Sequence, residues 1–187
     1  MKRKYSEVEE SSTSNIYVRN NHVYFYSDVT LESCSQLIQC LEKAKEYCKQ
    51  LDTPGCIYLH ICTDGGDLMT SFAVVDTILK SDIPVSTICE GCVASAGVLL
   101  SLAGNKRYIA RHGYMLIHEL RSGCVGKYTE CQDDMKNNDI LMKDMMKYIN
   151  ERCQNKLLKT NLDAFLKRDI LWNAKKCINY GLVHSIW

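Results

Sequence analysis

An apolar strand running into glycine and then into a helix occurs twice in the middle of this chain, and no other feature restricts the fold as much. Cys56-Ile57-Tyr58-Leu59-His60-Ile61 leads to Gly65-Gly66 and a helix predicted over about 68–80. Pro84 then leads to Val85-Ser86-Thr87-Ile88-Cys89, a turn at Gly91, and an apolar helix from Val98 to Ala103. Short apolar runs bounded by turn residues read as buried strands. Strands alternating with helices are joined by right-handed crossovers into a largely parallel sheet.

The flanking segments complete one α/β domain over 15–187. Residues 1–14 are charged and rich in Ser and Thr, and are expected to form a flexible tail. Ile16, Val18, Val23 and Phe25 mark two short strands with Asn20-Asn21 between them. A helix is predicted over about 31–51, because Leu31, Cys34, Leu37, Ile38, Leu41, Ala44, Tyr47, Cys48 and Leu51 keep the three-four rhythm of one buried face. Thr30 is its expected N-cap. Two more short strands are expected between Arg107 and Ile117, and a long helix over about 127–154. The chain closes with a short helix and a strand between Ala174 and Trp187.

Composition narrows the function classes. A formal net charge of +1 over 187 residues gives no reason to expect nucleic acid or an acidic membrane as partner. No segment approaches the ~20 apolar residues of a spanning helix, and the first residues lack the apolar core of a signal peptide. The 11 cysteines are irregularly spaced, and Cys89-Glu90-Gly91-Cys92 is the only C-x-x-C. Reduced, mostly buried thiols in a cytoplasmic setting are therefore expected, with Cys34 and Cys48 serving as small hydrophobes on a helix face. No paired-ligand spacing points to a metal.

Four short stretches carry candidate chemistry. Ser95, in Gly91-Cys92-Val93-Ala94-Ser95-Ala96-Gly97, stands between a strand and an apolar helix whose first N–H groups lack partners. Val93 rather than glycine precedes it by two, so this is not the Gly-x-Ser-x-Gly elbow. By itself such a serine also reads as a helix N-cap. Gly65-Gly66 permits close backbone approach to a ligand, or makes a plain turn. His118 follows the apolar Tyr114–Ile117 at a strand end, while His22, His60, His112 and His184 read as structural. Asp169 follows Lys167-Arg168, and Asp163 is a competing carboxylate. A serine, a histidine, an aspartate and backbone donors are the parts of a serine hydrolase.

In combination these stretches resemble the ClpP family, the serine peptidase subunits of the Clp protease, from about Ile57 to Ile186. Gly65-Gly66 with Asp76-Thr77, Gly91-x-x-Ala94-Ser95, Met115-x-Ile117-His118, and Arg168-Asp169 with Tyr180-Gly181-Leu182-Val183 carry the likeness. The resemblance implies a ClpP/crotonase-like fold of repeated β-β-α units, with a protruding handle at about 119–154. It makes Ser95 the nucleophile, His118 the base and Asp169 its orienting partner, with the N–H groups of Gly66 and Ala96 as oxyanion donors. It implies cleavage of unfolded polypeptides or peptides inside a homo-oligomeric, heptameric ring. No cofactor is expected in this subunit, since ATP would be used only by a partner AAA+ unfoldase.

Departures from the family pattern qualify that picture. Asp64 stands where the family has proline, and Glu119-Leu120 where it has Gln-Pro. Lys167 replaces an acid that elsewhere pairs with arginine across stacked rings, which disfavours a double ring. Tyr58 matches one aromatic of the ATPase docking pocket, whereas His60 and Lys80 occupy positions where others are expected. The sequence around the core looks more like the viral and phage branch, which raises capsid or prohead maturation in a host cytoplasm as an alternative. Two further alternatives use the same fold: a crotonase-like acyl-CoA-binding protein and an inactive ring subunit.

Overall fold

The computed structural model describes residues 15–53, 55–154, 156–157 and 166–187. The expected tail at 1–14 and the competing carboxylate Asp163 lie outside them. The chain starts with a hairpin, β1 (Ile16–Arg19) and β2 (His22–Phe25), turned at Asn20 with φ 57°. Helix α1 (Leu31–Lys49) follows. Its N-cap is Thr30, whose hydroxyl accepts from Ser33 N at 3.1 Å while the Ser33 hydroxyl accepts from Thr30 N at 2.9 Å. This reciprocal box satisfies two donors that a helix start otherwise leaves open. Leu37 and Ala44, on the face the three-four rhythm marks, are fully buried.

Strand β3 (Ile57–Thr63), α2 (Leu68–Leu79), β4 (Val85–Ala94), α3 (Ala96–Leu102) and β5 (Lys106–Ile109) form the two strand–helix units that the sequence announces. Beyond them come β6 (Tyr114–Leu116), α4 (Tyr128–Arg152), β7 (Trp172–Asn173), α5 (Ala174–Asn179) and β8 (Ser185–Ile186). The sheet runs β1-β2-β3-β4-β5-β8, with β6 paired to β4 and β7 to β6. Every pairing is parallel except the β1–β2 and β6–β7 pairs. Leu59, Ile61, Ile88, Leu100, Leu102 and Ile109 sit at the centre of the core with no exposed surface.

Strand β4 corrects the expectation that a strand ends at Cys89 and turns at Gly91. It continues to Ala94 and changes partner along its length. Ser86–Cys89 pair with β5, and Cys92–Ala94 pair with β6. Gly91, at φ 58°, is the kink between the two halves. A glycine signals a bulge as readily as a turn, and the choice falls to pairing with β6, a segment more than 20 residues away. This fork carries β4 to Ser95 and β6 to His118.

Helix α4 is the protruding element expected of a handle. At 25 residues it is about 37 Å long, and only Met145, Ile149 and Asn150 near its C-terminal end are buried. Its methionines divide along that axis: Met135 is 70% exposed and Met145 only 7%. The cysteine expectation needs one correction. Cys124 and Cys131 form a disulfide ahead of and within the first turn of α4, their Cα atoms 5.6 Å apart. That pairing depends on a helix starting at Tyr128, which brings two residues of unremarkable spacing together. The other nine cysteines are free thiols, and Cys34, Cys40, Cys48, Cys89, Cys153 and Cys177 are buried.

Candidate active site

Ser95 occupies the junction between β4 and α3 with φ 54° and ψ −128°. A non-glycine residue with positive φ costs of order 1–3 kcal/mol and persists only where its surroundings over-determine it. Here they do: Ser95 N donates to Leu116 O at 2.9 Å, Val98 N donates to Ser95 O at 3.0 Å, and every residue of α3 is buried. The side chain makes no cap hydrogen bond, so its hydroxyl is not spent on the helix start as an ordinary N-cap serine's would be.

The β3–α2 turn packs directly on this junction. A Cβ on Gly65 would lie 2.5 Å from Ser95 Cβ and 3.1 Å from Ala96 N. One on Gly66 would lie 2.2 Å from Val29 O, and Gly66 has φ 145°. Only glycines allow both approaches. Val29 anchors the turn from the other side, with Val29 N donating to Gly65 O at 2.7 Å and Asp67 N to Val29 O at 2.8 Å. Among the described hydrogen bonds none uses the N–H of Gly66 or of Ala96. Two unspent amides near a serine are suited to a developing oxyanion. Asp67 N-caps α2, accepting from Thr70 N at 2.6 Å. The bonds from Thr70 hold its carboxyl below the usual carboxylate range.

His118 follows β6 and is half-buried. Its Nδ1 lies 2.6 Å from the carbonyl oxygen of Glu119. A carbonyl can only accept, so Nδ1 carries the proton and Nε2 of the neutral ring remains an acceptor. That is the tautomer a general base needs. Ser95, Ala96, Gly66 and His118 all line one cavity of about 440 Å³. Its apolar part includes Leu68, Met69, Val98, Leu141, Met145 and Ile149, while Asp64, Asp67, Glu119 and Arg121 supply its charges. Among the described residues no hydrogen bond joins Ser95 to His118. Such bonds are often long before substrate binds and tighten in the complex.

Asp169 is not among the residues that line this cavity. Its carboxylate is ion-paired with Arg121, and no hydrogen bond among the described residues joins it to His118. Sequence reasoning misses Arg121, because nothing local relates it to an aspartate 48 residues away. Of the other histidines, the buried His60 and the more exposed His22 and His184 have structural partners. His60 contacts His22 at 3.0 Å and Glu90 at 2.9 Å, and His184 Nδ1 accepts from Arg107 N at 3.0 Å. Among the described residues no group of three or more His, Cys, Asp or Glu is placed to hold a metal ion. No helix there is long and apolar enough to cross a membrane.

Residues 6–187 match the family model described as Clp protease. The ATP-dependent Clp protease proteolytic subunit 2 of Treponema denticola is 35% identical over 132 residues, which are 70% of this chain and 65% of that protein. The ATP-dependent Clp protease proteolytic subunit 1 of Bacillus cereus is 32% identical over 132 residues, 70% of this chain and 67% of that one. The similarity thus spans about two thirds of the length of these curated relatives.

Proposed function

The chain belongs to the Clp protease family, and from that premise we propose that it is a serine endopeptidase with Ser95 as nucleophile. Ser95 Oγ attacks a peptide carbonyl while Nε2 of His118 accepts its proton. The Gly66 and Ala96 N–H groups stabilise the oxyanion, and the acyl-enzyme is released by water. Asp169 is the orienting carboxylate in this reading. The observation that carries it is the Ser95 junction: a strained backbone and an uncommitted hydroxyl, in one cavity with His118 and two unspent amides. The apolar part of the cavity suits a hydrophobic side chain next to the scissile bond.

The substrates are unfolded polypeptides or peptides, cleaved within a ring of identical subunits. The relatives are named as proteolytic subunits of ATP-dependent proteases; in this reading ATP is hydrolysed by a partner ATPase and not by this subunit. A face bearing Tyr58, Tyr108 and the half-exposed Trp187, with ring centroids 5.4 and 5.1 Å from Trp187, offers that partner an aromatic surface. Fluorophosphonate labelling of the wild type and of Ser95→Ala, each run on a sizing column, tests the proposal. Labelling of the wild type alone, at a mass well above one subunit, is the expected result. An assembled but unlabelled wild type would refute the active-enzyme reading.

A further inference from the structure

We propose that Arg121 is a positioning residue that competes with His118 for Asp169 and so holds the site in a resting arrangement; this rests on Ser95, His118 and Asp169 acting as proposed above. Three observations meet at one place. The Asp169 carboxylate is on the Arg121 guanidinium. The His118 Nδ1 proton is meanwhile on the Glu119 carbonyl, 2.6 Å away. Glu119 N donates to Leu166 O at 2.9 Å, which lays the segment before Asp169 alongside His118–Arg121. Asp169 therefore borders a short stretch that offers two alternative cationic partners, His118 when protonated and Arg121 always.

The two partners have different consequences. With Asp169 on Arg121, the Glu119 carbonyl keeps the imidazole in the right tautomer, but a neutral carbonyl stabilises an imidazolium far less than a carboxylate does. With Asp169 on His118, the imidazolium formed when Ser95 attacks gains a full counter-charge. The Arg121 and Asp169 side chains are 71% and 52% exposed. An exposed ion pair is weak and solvent-screened, so the resting arrangement is easily reversed. Movement of the 119–127 segment would release Asp169, because Arg121 lies on the stretch that leads into α4.

Among the described residues the charged groups around His118 are few enough to interpret a pH profile. Asp64 and Asp67 come from the β3–α2 turn and Glu119 and Arg121 from its own segment; Asp169 is held on Arg121, and Lys167 and Arg168 precede it in the chain. Helix α3 has no titratable residue, and α4 presents only Leu141, Met145 and Ile149 to the cavity.

The experiment measures the rate of Ser95 labelling by a fluorophosphonate against pH, in wild type, Arg121→Gln, Arg121→Lys and Arg121→Gln/Asp169→Asn. Arg121→Gln is expected to label faster, by no more than about fivefold given the worth of an exposed pair. The acidic limb of its profile is expected to move up, by no more than about 0.7 pH unit for the same pair energy, as the carboxylate meets the imidazole. Arg121→Lys restores the slow profile, and the double variant loses both the gain and the shift. A purely structural role for Arg121 would lower the rate without moving the limb. Titration of the His118 ring nitrogens by NMR, in a Ser95→Ala background, reads the same switch without catalysis. If nothing labels but the Arg121→Gln titration still moves up, the peptidase reading fails and the competition stands. If Ser95 labels normally and neither the limb nor the titration moves, the competition is refuted.

Discussion

Gly66→Ala separates the energetics of the fold from those of the reaction. At φ 145° the added Cβ would sit 2.2 Å from Val29 O, where real Cβ contacts essentially never fall below 3.0 Å. The turn must therefore move by nearly 1 Å, or Val29 must. Backbone strain of this kind costs of order 1–3 kcal/mol, against a total stability of about 5–15 kcal/mol for a domain, so the variant is expected to fold. The reaction is less tolerant. A 1 Å displacement at a reacting centre costs about a hundredfold, and loss of one oxyanion donor about a hundred- to a thousandfold. The expected outcome is a cooperative thermal transition lowered by several degrees, with acylation of Ser95 slowed at least a hundredfold. Circular dichroism reports the first, and the rate of fluorophosphonate labelling the second. A folded Gly66→Ala protein that acylates within threefold of wild type would refute the assignment of the Gly66 amide to the oxyanion.

Three other outcomes follow from the core, the titrating groups and the thiols. Leu100, fully buried in α3, should cost about 2–5 kcal/mol on truncation to Ala, seen as a lower urea midpoint at unchanged slope. His22 titrates below its ordinary 6.5, first because burial and then because the His60 ring disfavour its imidazolium. The unfolded chain therefore takes up that proton more readily, so the His22 contribution to stability is complete above about pH 6.5 and declines as pH falls from there towards the folded value; His22→Gln should flatten that acid limb of stability, and an unchanged limb would refute the assignment. Burial pushes the Cys89 and Cys177 thiols up to about 12, so a thiol reagent should first modify the partly exposed Cys56, Cys62 and Cys92. Unfolding without reductant should raise the count to nine and prior reduction to 11, and 11 without reduction would disprove the Cys124–Cys131 bond.

What the chain specifies by itself is whatever rests on near neighbours. The three-four rhythm of α1 and its Thr30 cap, the hairpin turned at Asn20, and the runs that become β3 and the first half of β4 are all decided within a few residues. So is the placing of Ser95 between strand and helix, because an apolar strand, Gly91 and an apolar helix fall there in direct succession. Whether that serine is a cap or a free hydroxyl is not local. It depends on the hydrogen bond to Leu116 and on a glycine turn pressed against it from β3. The continuation of β4 past Gly91 depends on β6, and the disulfide on where α4 begins. The partner of Asp169 depends on an arginine 48 residues distant. Side-chain periodicity records which face of an element is buried, but not which distant segment covers it. Charged side chains at the surface have weak and competing partners, so only the assembled fold decides between Arg121 and His118 for Asp169.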